Sequence, residues 1–225
     1  MEERSRSAAE SIGLTADDYA GLTGLYDGRL RELGVGVKTV GWGSVGDQEM
    51  RFEVLCRGLK LEGLRVLDIG CGLGDFVGWA EKRFGPDFDY VGLDLSAGLI
   101  EAAQERFGGA RRQFLADTLT PDSAIGEFDV AVLSGTLTYK TADNMATMRS
   151  VISSAYARSR VAVCSNFMTS YADSRLDKNF HYQPEEVFAF TKSLSRFVVL
   201  HHDYDLYEFT VQILREPTLK RKPSP

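Results

Sequence analysis

Three glycines separated by single residues, in VLDIGCGLGDF at 66–76, are the feature of the sequence that most clearly implies chemistry. Gly70, Gly72 and Gly74 stand where an apolar run gives way to a helical pattern. Backbone amides at such a helix start can approach a ligand closely because no Cβ stands in the way. A dinucleotide loop reads G-x-G-x-x-G, whereas here the spacing is G-x-G-x-G and Asp75 follows the third glycine directly. Asp68 and Asp75 beside the loop would repel phosphate and suit a cationic ligand, such as one with an ammonium and a sulfonium. Twenty residues after Gly74, Asp94 closes the apolar segment YVGLD. A carboxylate there can accept hydrogen bonds from vicinal ribose hydroxyls. Asp117 ends FLAD in the same way, within reach of the exocyclic amine of an adenine. Thr118 lies beside it, and Leu95 and Leu119 are candidates to cover the ring faces.

These residues need elements to position them, and the pattern supplies a sheet with helices on both sides. Short apolar runs at 65–70, 89–94, 112–117, 128–135 and 160–167 read as parallel strands covered on both faces. Helical spacing separates them: Phe76, Val77, Ala80 and Phe84, then Leu99, Ile100, Ala103 and Phe107, then Met148, Val151, Ile152 and Ala155. Ser96 stands at an N-cap position, and Pro184 with Glu185 and Glu186 opens a further helix. The last two runs, 196–204 and 206–216, are too close in sequence for a crossover helix and are expected to pair antiparallel. Before residue 60, Leu22, Leu25, Tyr26, Leu30 and Leu33 predict one amphipathic helix ended by Gly34 and Gly36, and a second is expected from about Asp47 to Leu59. Trp42 lies in the Gly-rich loop between them.

Composition narrows the class of function. With 44% hydrophobic residues, 11% aromatics and only 6 Pro in 225 residues, the chain has the makings of one sizeable core. A net charge of -6 gives no global attraction to polyanions, so a nucleic-acid partner is not expected. The basic cluster Lys220, Arg221 and Lys222 reads as a solvated end. No apolar run suits a bilayer, no signal peptide is evident, and a cytoplasmic location is expected. Cys56, Cys71 and Cys164 are too widely spaced for a disulfide framework or zinc cluster, and no metal is expected.

Glycine loop, acid after the second strand and acid after the third, in that order, resemble the class I S-adenosylmethionine-dependent methyltransferases. The resemblance covers roughly residues 60–216 and implies an α/β, Rossmann-like sheet of seven strands, mostly parallel, in the order 3-2-1-4-5-7-6 with strand 7 reversed. It implies S-adenosyl-L-methionine as cofactor. Asp68, Gly70, Cys71, Gly72 and Gly74 would wrap the methionine part, Asp94 would hold the ribose and Asp117 the adenine. Ser134 and Gly135 would face the transferred methyl group. The expected organisation is an N-terminal helical cap at 1–60, a cofactor-binding core at 61–216 and a flexible tail at 217–225.

The acceptor is less sharply drawn. LSGTLTYK follows the fourth strand where some relatives carry [DN]-P-P-[YF], so methylation of adenine or glutamine amides is not implied. No cysteine lies there either, against a nucleophilic-cysteine cytosine methyltransferase. Direct displacement by an oxygen or nitrogen of a small molecule is the expected reaction, and it requires alignment, exclusion of water and sometimes a base. Trp42, Gln48, Arg51, Thr136, Asn166, Phe167 and Tyr171 are the candidate acceptor contacts, with plain packing as the alternative for Phe167 and a solvated helix charge for Arg51. Tyr139 and His181 are the candidate catalytic residues. A protein acceptor and a silent cofactor-binding regulator are the competing readings.

Overall fold

A computed structural model describes residues 2–219, so the basic cluster at Lys220, Arg221 and Lys222 lies outside the described residues. The chain runs α1 (Glu2–Ser11), α2 (Ala16–Leu33), α3 (Val45–Leu55), β1 (Arg65–Ile69), α4 (Asp75–Phe84), β2 (Asp89–Asp94), α5 (Ala97–Phe107), β3 (Arg112–Ala116), β4 (Phe128–Leu133), α6 (Asn144–Arg158), β5 (Ser159–Met168), α7 (Pro184–Leu194), β6 (Phe197–His201) and β7 (Glu208–Leu214). One seven-stranded sheet has the order β3-β2-β1-β4-β5-β7-β6. Its strands pair in parallel except at β7, which is antiparallel to both β5 and β6. This is the predicted Rossmann-like architecture, including the reversed strand.

Alternation along the strands divides the core between two sheet faces. Leu67 and Ile69 of β1 pack with Val151 and Ile152 of α6, while Val66 packs with Phe76 and Val77 of α4 and Ala103 of α5. Strands buried on both faces read as continuous apolar runs for this reason. The carboxyl ends of β1 to β4 therefore meet along one edge, where the helices begin and where ligands of open sheets bind.

Helix α1 was not foreseen. Its sequence, EERSRSAAES, has almost no apolar periodicity, and it is fixed by a few contacts: Ala9, Ile12 and Leu14 enter the same core as α6. A capping box at Thr15 and Asp18 then starts α2, and Asp18 also accepts the amide of Ala142. The predicted second helix is shorter than expected. It begins after the N-cap Ser44 and ends at Leu55, because Gly58 turns the chain at φ +79°. The final strands are also shorter than predicted, with a tight turn around Tyr204 to Leu206 between them.

Candidate functional site

At the end of β1 the chain turns through Gly70, Gly72 and Gly74, all with positive φ, and Gly74 is the N-cap of α4. The amides of Gly70 and Cys71 both donate to the Leu93 carbonyl at the end of β2 (2.7 and 2.9 Å), which ties the loop to the next strand. A Cβ at Gly70 would meet Thr136 at 2.6 Å, and one at Gly72 would meet Val40 at 2.8 Å. Neighbouring segments thus close on bare backbone, and a side chain at either glycine would push them away.

Asp94 organises this end of the sheet. Its carboxylate accepts the amide of Gly72 (2.9 Å) and that of Ser96 (3.0 Å), and its carbonyl accepts the amide of Asp117 (3.0 Å). Ser96 caps α5 by accepting from the Leu99 amide and donates to Asp27 of α2. One side chain therefore links the glycine loop, the start of α5 and, through its backbone, the segment after β3. Burial pushes the Asp94 carboxyl above its usual range despite these amides. Asp68 is buried and accepts the Tyr90 hydroxyl at 2.7 Å. Its desolvation outweighs that hydrogen bond, and the carboxyl is pushed up to about 7. Asp75 is the acid with compensation: Arg106 donates to it at 2.7 Å and Gln48 at 3.1 Å.

A cavity opens over these groups. Its lining includes Asp68, Gly70, Cys71, Gly72, Asp75, Asp94, Leu95, Asp117, Thr118, Ser134 and Thr136, together with Gln48 and Trp42. The structure thus brings together the sequence candidates from β1 to β4 except Leu119 and Gly74, the latter lying under the loop against Phe107 and Phe114. Thr136 also fastens the loop by donating to the Ile69 carbonyl at 2.5 Å. Leu119, expected at a ring face, is fully buried in the core instead, because its neighbours there are aliphatic and aromatic. Among the described residues, four aspartates and no Lys, Arg or His line this cavity. The buried hydroxyls of Ser134, Thr141 and Thr147 on the same lining have no hydrogen-bond partner among the described residues.

The N-terminal segment contributes residues that sequence reasoning missed. Ile12, Leu14, Leu22, Thr23 and Tyr26 form one wall, with Val40 and Phe52. Tyr26 meets Tyr139 edge-on at 5.9 Å, and burial raises its hydroxyl pKa. The helical spacing of Leu22 and Tyr26 was visible, but nothing local distinguishes a cavity wall from a core face.

A second cavity adjoins the first and shares Tyr26, Val40, Trp42, Gly135 and Tyr139 with it. Its other walls include Gly41, Arg51, Met168, Leu176, Lys178, Asn179 and residues 204–208. Arg51 is not a solvated charge. Glu208 accepts from its Nε at 2.9 Å and its Nη2 at 2.6 Å, and both residues are buried. Asn166 donates to Glu208 at 2.5 Å and accepts the Gly135 amide at 2.7 Å. The Arg51 guanidinium lies 4.1 Å from the centre of a Trp42 ring. Gly135 has φ +71°, and a Cβ there would overlap that indole. Asn166 thus lines neither of these cavities; it braces the end of β4.

Three candidates lie elsewhere. Phe167 is packed between Tyr182 and Phe209, a core role. Tyr171 is 64% exposed and donates to Glu185, away from both cavities. His181 lines neither cavity; burial and the nearby Arg175 lower its pKa, and its Nε2 has no partner among the described residues. Tyr139 stands on the boundary of the two cavities, where its hydroxyl accepts from Arg29 at 2.8 Å. No helix among the described residues is long and apolar enough to cross a membrane.

A family model described as a methyltransferase domain matches residues 67–160. The Mycobacterium tuberculosis protein Rv1506c, which is named as a methyltransferase, is 33% identical over 155 residues, 66% of this chain and 91% of its own length. The fold is similar to that of magnesium protoporphyrin IX methyltransferase from Synechocystis with bound SAM (TM-score 0.62, 16% identity, covering 90% of this chain and 99% of that one). It is also similar to N-methyltransferase NodS from Bradyrhizobium japonicum in complex with S-adenosyl-l-homocysteine (TM-score 0.60, 16% identity, covering 85% and 99%).

Proposed function

We propose a division of labour for this chain, which belongs to the class I S-adenosylmethionine-dependent methyltransferase family: the first cavity binds S-adenosyl-L-methionine, and the second binds a small molecule whose oxygen or nitrogen accepts the methyl group. The observation that carries this reading is the common wall. Five residues at the end of β4 and in the N-terminal segment line both cavities, so two molecules can meet there. The cofactor supplies a methyl group made electrophilic by its sulfonium.

The residues suit that group. Asp68, Asp94 and Asp117, with Asp75 already paired to Arg106 and no basic residue among the described residues on the lining, favour a cation. The partnerless hydroxyls of Ser134, Thr141 and Thr147 offer hydrogen bonds to a polar ligand. On this reading Asp68 faces the ammonium end, Asp94 the ribose hydroxyls, and Asp117 with Thr118 the adenine edge. Trp42 and Tyr139 align the acceptor and exclude water, which is most of what a direct displacement requires. Tyr139 is also the candidate base by position. Residues 1–60 act as the cap, but as a built-in wall rather than a detachable lid, since Ala9, Ile12 and Leu14 belong to the core.

Calorimetry with S-adenosylmethionine tests the first cavity. Incubation with methyl-labelled cofactor and a size-fractionated extract tests the second: label in small molecules supports the proposal, and label in protein moves the acceptor to the competing reading. Tight binding with no transfer to any fraction leaves a silent binder.

A further inference from the structure

Resting on the two-cavity reading above, we infer that the acceptor carries an acidic group, held at the second cavity by Arg29 and Lys178 beside the ring of Tyr139. The guanidinium of Arg29 lies 5.9 Å from the centre of that ring and the Lys178 ammonium 5.7 Å from it. Arg29 donates through Nη1 to the Tyr139 hydroxyl, which leaves the rest of its five-donor fork free. The same nitrogen lies 3.1 Å from where a Cβ of Gly41 would stand, and Gly41 lines the second cavity. Neither cation has an ion-pair partner among the described residues.

Two cations gathered at one aromatic ring, neither in an ion pair among the described residues, suit an anionic group. The position of Lys178 is built in: its carbonyl accepts the Lys140 amide at 2.9 Å, and Tyr139 bridges Asn179 in an isolated antiparallel pair. Arg51, the other cation on this lining, is already neutralised by Glu208. Asp205 is the remaining acid there, on an exposed turn. With Arg51 and Glu208 paired, Lys178 and Asp205 are the remaining charges on the second lining and Arg29 stands beside it, whereas the first lining holds four aspartates. Leu176 and Tyr207, 58% and 50% exposed on the same lining, give the body of an acidic acceptor an apolar surface to cover.

The test fractionates a cell extract by ion exchange into anionic, neutral and cationic pools before reaction with labelled cofactor. The anionic pool is expected to supply the acceptor. With that pool, Lys178→Gln and Arg29→Gln are each expected to raise KM roughly tenfold with calorimetric cofactor affinity unchanged; kcat stays within about threefold in Lys178→Gln, whereas Arg29→Gln also lowers it through the lost bond to Tyr139. Lys178 is exposed, so its variant reads the acceptor site without a threat to folding. An acceptor from the neutral or cationic pool, or an unchanged KM in both variants, overturns the inference. Loss of cofactor affinity in Arg29→Gln also overturns it, by assigning that arginine to the cofactor's own carboxylate. If no pool is methylated while the cofactor binds, the inference and the small-molecule acceptor fall together; if the cofactor does not bind, the proposed function fails at its first step.

Discussion

The two cavities are built by different means. Around the first, backbone does most of the work: amides of Gly70, Cys71, Gly72, Ser96 and Asp117 converge on Leu93 and Asp94, all within two βα turns and the segment after β3. Around the second, side chains from distant segments hold one another, with Trp42, Arg51, Asn166 and Glu208 joined in a chain that ends on the Gly135 amide. A backbone-held site tolerates changes in most surrounding side chains and is sensitive at its glycines. A network of buried side chains fails when one of its hydrogen-bonded charged members is removed, because the partner is left charged or polar without compensation.

The largest effect is expected from breaking the second region at its ion pair. Glu208→Ala leaves the buried Arg51 guanidinium unpaired, which is expected to destabilise the fold by roughly 3–5 kcal/mol. For a chain of this size the thermal midpoint falls by roughly ten degrees. The double variant Arg51→Met with Glu208→Leu removes both charges and is expected to regain most of the stability. Denaturant unfolding checks both. A small loss in Glu208→Ala would show that Arg51 swings out to water, and the wall would then be looser than the first cavity, contrary to the comparison.

That difference in construction explains what the sequence made legible. Gly70, Gly72, Gly74, Asp94 and Asp117 announce themselves because a strand, a turn and a helix start are contiguous, and each acid sits at a strand end. The sheet is legible for the same reason, its apolar runs and helical spacings each being local. The partnership of Arg51 with Glu208 spans 157 positions, and neither residue belongs to a motif. Phe167 and Tyr171 were reasonable candidates after β5, but β5 runs on to Met168, and the turn beyond it carries Tyr171 outward to Glu185. Helix α1 was hidden because three apolar anchors do not make a periodic pattern.

Asp94→Ala sharpens the account of the first cavity. It removes the acceptor for two loop amides and, on the proposed reading, for the ribose hydroxyls, each a hydrogen bond to a charged group worth roughly 1.5–3 kcal/mol. Cofactor affinity is expected to fall about tenfold or more, and Asp94→Asn is expected to lose less. Calorimetry on both variants decides this. Unchanged affinity in Asp94→Ala would remove the residue from the binding site and leave it a purely structural tie.

A pH experiment probes the same region more gently. Burial raises the Asp68 carboxyl from 3.8 to about 7 in the folded protein. A raised acid binds its proton more tightly when folded, so its contribution to stability is full below 3.8 and is lost as the pH rises through about 7. Unliganded wild type is therefore expected to lose stability across that window relative to Asp68→Asn, which has no proton to lose there. Cofactor affinity should run the other way, rising with pH in wild type as the carboxylate forms beside a cationic ligand and staying flatter in the variant. Parallel pH profiles for the two proteins would show that Asp68 does not titrate in this window.

The smallest effect on the fold, and the sharpest on the boundary between the cavities, is expected from Trp42→Ala. The indole lies over Arg51 and fills the space that a Cβ at Gly135 would need, so it is a wall of both cavities at once. A cation–π contact of this kind is worth about 0.5–2 kcal/mol, and the surrounding turn retains its own bonds from Thr39 to Gly36 and from Gly41 to Lys38. The thermal midpoint should therefore move by only a few degrees. Removing the indole merges the two spaces and admits water beside the proposed methyl-transfer position, so kcat is expected to fall at least tenfold with cofactor affinity within about threefold. Trp42→Phe keeps a flat ring there and should recover much of the rate. Limited proteolysis at 41–46 adds a measure independent of turnover: cleavage should slow when cofactor and acceptor are both bound, and less so in Trp42→Ala. Wild-type turnover in the alanine variant, with cleavage equal in the presence and absence of ligands, would show that the indole is ordinary packing and that the boundary of the acceptor site lies elsewhere.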